Sequence, residues 1–134
     1  MSLITWNSDY ELGIPGIDAQ HKKFVEILNT FYDQLAASDI ESKTKTLLDE
    51  VLDYTLYHFI EEERFMTKMG YEKLEEHKRL HEEIRGKIQA FRTSMDEGKL
   101  VMSMKITSEL KDWIKNHILI EDKKYAEKYL QTQQ

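Results

Sequence analysis

The sequence predicts an all-α fold, an antiparallel up-down-up-down four-helix bundle with an irregular N-terminal arm and a short C-terminal helical tail. Apolar residues recur at steps of three and four along four segments, which is the spacing of one face of a packed helix. Short breaks separate these segments, which favours antiparallel neighbours. No stretch shows convincing period-two alternation, so we predict no sheet.

The 134 residues are expected to form one domain. Its N-terminal arm contains the only proline, Pro15, and Asp18 is the expected N-cap of the first helix. Ser38 and Asp39 supply a break and a new cap, and Gly70 ends the second helix. The predicted order is an arm over 1–17, helices over 18–37, 40–69, 72–95 and 99–120, and a charged tail over 121–134.

Composition excludes several classes of function. Charged residues make up 33% of the chain and hydrophobic residues 40%, which is typical of a soluble globular protein. The net charge of −6 and the lack of a basic cluster argue against a nucleic-acid partner. No apolar run approaches the ~20 residues that span a bilayer, and the N-terminus lacks the features of a signal peptide. We therefore expect a cytoplasmic protein without a membrane partner. Without cysteine, any metal must be held by nitrogen and oxygen.

All five histidines fall on the apolar seams of the predicted helices. His77 and His81 are one helical turn apart, so both imidazoles can aim at one point. A single core histidine is ordinarily satisfied by one hydrogen bond, but five in one core cost too much polar burial unless something satisfies them together. We therefore predict a metal cluster held by His21, His58, His77, His81 and His117.

Two carboxylates are predicted to join the cluster. Glu62 follows His58 by four residues on the same seam, whereas the glutamates on either side of it fall off that seam. Asp122 follows His117 by five residues, which is about 140° around an ideal helix. For both to reach one cluster, the helix must widen, unwind or end between them, and we predict such an irregularity. The alternative is that Asp122 is an ordinary surface acid.

The number of donors indicates an open site. Five imidazoles fill five positions, two bridging carboxylates fill four, and one bridging oxygen fills two. Two roughly octahedral centres need one more ligand, so a small molecule is expected to bind there. Imidazole and carboxylate donors suit iron or manganese, although zinc or copper would also bind.

Several short motifs carry a resemblance over residues 4 to 130. They are Trp6, Gly13-Ile14, Ile17-Asp18, Gln20-His21, His58-Phe59-Ile60-Glu61-Glu62, His77-Lys78-Arg79-Leu80-His81 and Trp113-Ile114-Lys115-Asn116-His117, followed by Asp122. This series resembles the bacterial branch of the hemerythrin family. The resemblance implies two iron ions in a non-haem di-iron centre, bridged by an oxo or hydroxo group, that binds O2 reversibly.

The resemblance also implies a role for each donor. His77, His81 and His117 would hold one iron. His21 and His58 would hold the second, whose open position takes O2, and Glu62 and Asp122 would bridge the pair.

An apolar lining would keep water and protons away from bound O2. The residues placed to supply it are Phe24, Phe59, Trp113, Ile114 and Ile118, and the alternative is that these are ordinary core residues. Tyr125 is a further candidate for a hydrogen bond near the site.

The function favoured by this reasoning is O2 carriage, storage or delivery rather than enzymatic turnover. Oxygenase-type di-iron bundles use Glu-x-x-His motifs, and this sequence contains none. The alternatives are a di-iron peroxidase, an oxidase or a nitric-oxide-reducing enzyme, and an O2 or redox sensor acting through an unknown protein partner. We expect a monomer or a weak homo-oligomer.

Overall fold

The computed structural model describes residues 3–98 and 103–133, and these residues form four helical rods without a strand. The rods are α1 (Pro15–Asp33), α2 (Ile40–Met69), α3 (Leu74–Asp96) and a composite of α4 (Ser103–Asn116), a π-helix (His117–Asp122) and α5 (Lys123–Thr132). The predicted all-α four-helix bundle is confirmed. The start of the predicted fourth helix, 99–102, lies outside the described residues.

The first helix begins at Pro15, so the prediction that Asp18 is its N-cap is wrong. Proline suits the first helical position because its fixed φ is already helical and its missing N–H has no intrahelical partner to lose. The Asp18 carboxylate instead accepts hydrogen bonds from the backbone N–H groups of Leu12 at 2.8 Å and Gly13 at 3.2 Å. Gly13 has φ +82°, a conformation that favours glycine. Asp18 therefore fixes the arm against the start of α1.

Other helix ends also differ from the predicted ones. The first helix ends at Asp33 rather than at residue 37, and the third begins at Leu74 rather than at residue 72. Asp39 stands at the N-cap of α2, but its side chain makes no capping hydrogen bond and lies 3.6 Å from the Lys43 ammonium instead. Gly70 closes α2 with φ +72°, which turns the chain toward α3.

The buried face of α2 departs near its C-terminal end from the inner face that the sequence predicts, which runs through Leu48, Val51, Thr55, His58, Glu62, Phe65 and Met69. Phe65 and Met69 are only partly buried, whereas Phe59 and Met66 are fully buried. A helix turn takes 3.6 residues, so a seam drawn in steps of three and four gradually leaves the true inner face. Phe65 contacts the Tyr125 ring at a centroid distance of 5.8 Å, which places it against α5.

The predicted C-terminal helical tail is present, and it continues the fourth rod as far as Thr132. Tyr125 and Ala126 are buried in the bundle. None of the helices in the described part of the chain is long and apolar enough to cross a membrane.

Candidate metal centre

The structure brings all seven predicted donors together in the bundle interior. Each of the four rods contributes to the cluster, and every donor residue is at most 5% exposed. The cluster consists of His21 on α1, His58 and Glu62 on α2, His77 and His81 on α3, and His117 and Asp122 at the two ends of the π-helix.

Three imidazoles and two carboxylate oxygens form the larger group, which we call the three-imidazole group. Oε1 of Glu62 lies 3.0 Å from Nε2 of both His77 and His81. Oδ1 of Asp122 lies 2.9 Å from Nε2 of His77 and 3.0 Å from Nε2 of His117. One donor atom from each of these five residues lies within 4.8 Å of the others.

The two-imidazole group lies on the opposite side of the carboxylates. Oε2 of Glu62 is 3.2 Å from Nε2 of His58 and 3.4 Å from Nε2 of His21. Oδ2 of Asp122 is 3.2 Å from Nε2 of His21. Each carboxylate therefore turns one oxygen toward each group, which is the arrangement of a bridging ligand between two metal ions.

The π-helix explains how His117 and Asp122 reach the same cluster. A π-helix is wider than an α-helix, with hydrogen bonds to the fifth residue along. His117 and Asp122, five residues apart, therefore share its inner face, and both are buried. The predicted irregularity is present, and it occupies the segment between these two residues.

The distances between the donor nitrogens match those between two ligands of one metal ion. Nε2 of His21 lies 3.1 Å from Nε2 of His58, and the corresponding distance between His81 and His117 is 3.2 Å. Two nitrogens bound at right angles to one ion at ~2.1 Å would lie about 3 Å apart. Both oxygens of Asp122 are buried without a hydrogen bond, although imidazole nitrogens lie close to them. The lone pairs of these two oxygens can therefore bind metal ions that the neighbouring imidazole nitrogens also bind.

Two residues outside the predicted set contact the outer nitrogens of two of the five imidazoles. Nδ1 of His58 lies 2.6 Å from Oε1 of Gln20, and Nδ1 of His81 lies 2.8 Å from Oε2 of Glu63. Sequence reasoning gave neither residue a role because both lie off the inner seams. Their signal is their position beside His21 and Glu62 in the chain, and Gln20 also belongs to the Gln20-His21 motif that carries the family resemblance.

Tyr125 makes the hydrogen bond expected of it near the site. Its hydroxyl donates to Oε2 of Glu62 at 3.1 Å. Burial, together with the Glu62 and Asp122 carboxylates, raises the pKa of Tyr125 well above its usual value, so its hydroxyl keeps the proton that it donates.

The two buried carboxylates, Glu62 and Asp122, favour positive charge on the groups around them. Burial lowers the pKa of the His21 and His77 imidazoles, but their contacts with Asp122 and Glu62 outweigh it and raise these pKa values to about 9 and about 10. Burial raises the pKa of the Glu62 carboxyl, but the surrounding imidazoles hold it well below its usual range. Without metal, protons therefore balance the carboxylates, and a metal cation would displace them.

Aromatic rings cover part of the three-imidazole group. Phe59 stacks on the His81 ring at 3.7 Å between centroids, and Trp113 stacks on the His117 ring at 4.3 Å. Phe24 packs edge-on against Tyr54 at 6.1 Å. Ile114 and Ile118 are buried in the hydrophobic core.

Comparison with known proteins agrees with this geometry. The sequence model of the Hemerythrin HHE cation binding domain matches residues 12–129. The chain belongs to the hemerythrin family.

Individual hemerythrins resemble the chain over nearly its whole length. A bacteriohemerythrin from Stenotrophomonas maltophilia (strain R551-3) is 34% identical over 95% of this chain and 82% of its own. One from Clostridium acetobutylicum is 33% identical over 93% of this chain and 100% of its own. The crystal structure of a wild-type hemerythrin superposes with a TM-score of 0.86 at 29% identity, covering 93% of this chain and 96% of that one.

Proposed function

We propose that this chain holds two iron ions and binds O2 reversibly, for oxygen carriage, storage or delivery. The observation that carries the proposal is the unequal number of imidazoles on the two sides of the Glu62 and Asp122 carboxylates, which turn one oxygen each to either side. Three imidazoles and two oxygens face one position, and two imidazoles and two oxygens face the other.

This inequality supports binding of one small molecule. His77, His81 and His117 would hold one ion, and His21 and His58 the other, with Glu62 and Asp122 shared between them. With one further bridging oxygen, the first ion would have six ligands and the second five. The open position would then belong to the ion held by the two-imidazole group.

The donor set also supports retention of O2 rather than its use in oxidising a substrate. Ferrous ions, when bound, supply the electrons that reversible O2 binding requires. Five neutral imidazoles contribute less negative charge than carboxylates would, and this disfavours the high oxidation states needed to attack a substrate. Membership of the hemerythrin family, mainly composed of O2-binding proteins rather than enzymes, supports the same function.

The protein supplies a dry and fixed environment. Water would be excluded from the centre by the buried side chains of Phe24, Phe59, Ile114 and Ile118 and by the partly buried Trp113. The Tyr125 hydroxyl holds Oε2 of Glu62, which faces the two-imidazole group, and so fixes the orientation of the bridging carboxylate.

Reconstitution with ferrous iron under anaerobic conditions tests the proposal. We expect two irons per chain by metal analysis, and less than one per chain in a His117→Ala variant that keeps its helical circular dichroism. One iron per chain in the unmodified protein, or equal iron in both proteins, would contradict the proposal.

A further inference from the structure

The two imidazole groups differ in the residue that accepts a hydrogen bond from Nδ1 of one of their histidines. In the three-imidazole group, Nδ1 of His81 faces the Glu63 carboxylate at 2.8 Å. In the two-imidazole group, Nδ1 of His58 faces the Gln20 side-chain carbonyl at 2.6 Å. Nε2 of each ring points into the cluster, so with a metal ion bound there Nδ1 would carry the proton and donate it.

These two acceptors do not act equally on the ring. A carboxylate accepts a charge-assisted hydrogen bond, which is about twice as strong as a bond to a neutral amide oxygen. The charge of the acceptor therefore distinguishes the two contacts, although the distance to Gln20 is the shorter one. Drawing the Nδ1 proton outward increases electron density at Nε2 and makes the imidazole a stronger metal ligand. Glu63 therefore strengthens His81 more than Gln20 strengthens His58.

Contacts around Gln20 fix the orientation of its amide. Its Nε2 donates to the Tyr57 hydroxyl at 3.4 Å, which leaves Oε1 for His58. Its backbone carbonyl accepts from the Tyr54 hydroxyl at 2.8 Å. The Tyr57 contact thus assigns the amide oxygen to His58, and the Tyr54 contact holds the backbone of Gln20 in place.

We propose that Glu63 and Gln20 are positioning residues that make the two metal ions electronically unequal, in addition to the difference in ligand number. The Glu63 carboxylate makes the ion of the three-imidazole group more electron-rich. The Gln20 amide leaves the ion of the two-imidazole group, which carries the open position, comparatively electron-poor. This inference rests on the proposed di-iron function.

The test exchanges the two acceptor types while keeping their shape. Glu63→Gln keeps an oxygen that can accept from His81 but removes the charge, and Gln20→Glu adds a charge at His58. Glu61→Gln is the matched control, because Glu61 lies two residues away on the same helix and pairs with Arg64 at 3.4 Å rather than with a histidine. Each protein is loaded anaerobically with ferrous iron, and iron affinity is measured by competition with a chelator.

We expect Glu63→Gln to weaken binding of one iron by about 10- to 100-fold and Glu61→Gln to leave both affinities unchanged. The reduction potential should rise in Glu63→Gln, because the carboxylate stabilises ferric iron more than ferrous iron, and fall in Gln20→Glu. A tenfold larger loss of ferric than of ferrous affinity corresponds to about 59 mV. A purely structural role would not move the two potentials in opposite directions.

Equal potentials and affinities in Glu63→Gln and Glu61→Gln would overturn this inference while leaving the proposed function intact. Failure of the unmodified protein to bind two irons would instead overturn the proposed function. If Glu63→Gln does not fold, Gln20→Glu carries the test with the same control. A reduction potential of Gln20→Glu below that of Glu61→Gln would support the inference, and equal potentials would overturn it.

Discussion

Nε2 of His117 lies 3.0 Å from Oδ1 of Asp122, although the two residues are five positions apart in a continuous helical rod. The π-helix between them makes this contact possible, because an ideal α-helix would place them about 140° apart. The π-helix thus provides the cluster with a second carboxylate, beside Glu62, that faces both imidazole groups.

Replacing Asp122 should therefore disrupt both metal positions. We expect Asp122→Asn to lower ferrous-iron affinity by more than roughly 10- to 100-fold, which is the typical loss when a residue that hydrogen-bonds to a metal ligand is replaced. Chelator competition measures this affinity. The exposed Asp112 lies on the same rod, so Asp112→Asn is the control and should bind iron normally. Normal affinity in Asp122→Asn would exclude this residue as a bridging ligand.

Neighbouring glutamates on α2 give a second test. Glu62 is fully buried within the cluster, whereas Glu61 pairs with Arg64 on the surface. We expect Glu62→Gln to lose iron on gel filtration and Glu61→Gln to retain two irons per chain, as measured by metal analysis. The reverse result would mean that the inner face of α2 is assigned one residue out of register.

The fold class and six of the seven clustered residues are predictable from the sequence, because helical periodicity determines which side chains face inward. Asp122 is the exception, since it reaches the cluster only through the π-helix. Histidines on those faces can be recognised without coordinates. The start of α1 is not predictable in this way, since Asp18 satisfies the local rule for an N-cap and yet binds the backbone of the arm. Gln20 and Glu63 are missed for a related reason, because their contacts with His58 and His81 depend on how neighbouring helices pack.

Stability without metal should decrease as the pH rises above neutrality. The folded state raises the pKa of His21 to about 9 and of His77 to about 10, from an ordinary value of 6.5. A raised pKa stabilises the folded state fully below pH 6.5, and this contribution disappears as the pH rises through about 9 to 10. Urea unfolding of the metal-free protein should therefore show a falling free energy of unfolding over this range.

Iron retention should have the opposite pH dependence. Imidazoles must lose their protons to bind metal, so acidification should release iron. The protein is equilibrated at pH values between about 5 and about 8, which bracket the ordinary histidine pKa. Metal analysis of each sample measures the iron released. Iron that stays bound equally well across this range would argue against imidazole ligands.

The ring of Phe59 should protect the centre from water. It stacks on His81, and both residues line a groove between α2 and α3 that opens to the surface. We expect Phe59→Ala to reduce the free energy of unfolding by about 3–5 kcal/mol and to shorten the lifetime of the oxygenated protein. Urea unfolding and repeated oxygenation cycles measure these effects.

The exposed Ile60 lines the same groove and provides the control. We expect Ile60→Ala to change the free energy of unfolding by no more than about 0.5 kcal/mol. Equal oxygenation lifetimes in Phe59→Ala and Ile60→Ala would show that the Phe59 ring serves packing alone.

The stoichiometry and reversibility of O2 uptake test the central claim most directly. The ferrous, iron-loaded protein is exposed to measured amounts of O2 and then evacuated through several cycles. One open position in a di-iron centre predicts one O2 bound per two irons, with full release in each cycle. Failure to bind O2, uptake of more than one O2 per pair of irons, or loss of the ferrous state in the first cycle would contradict the account.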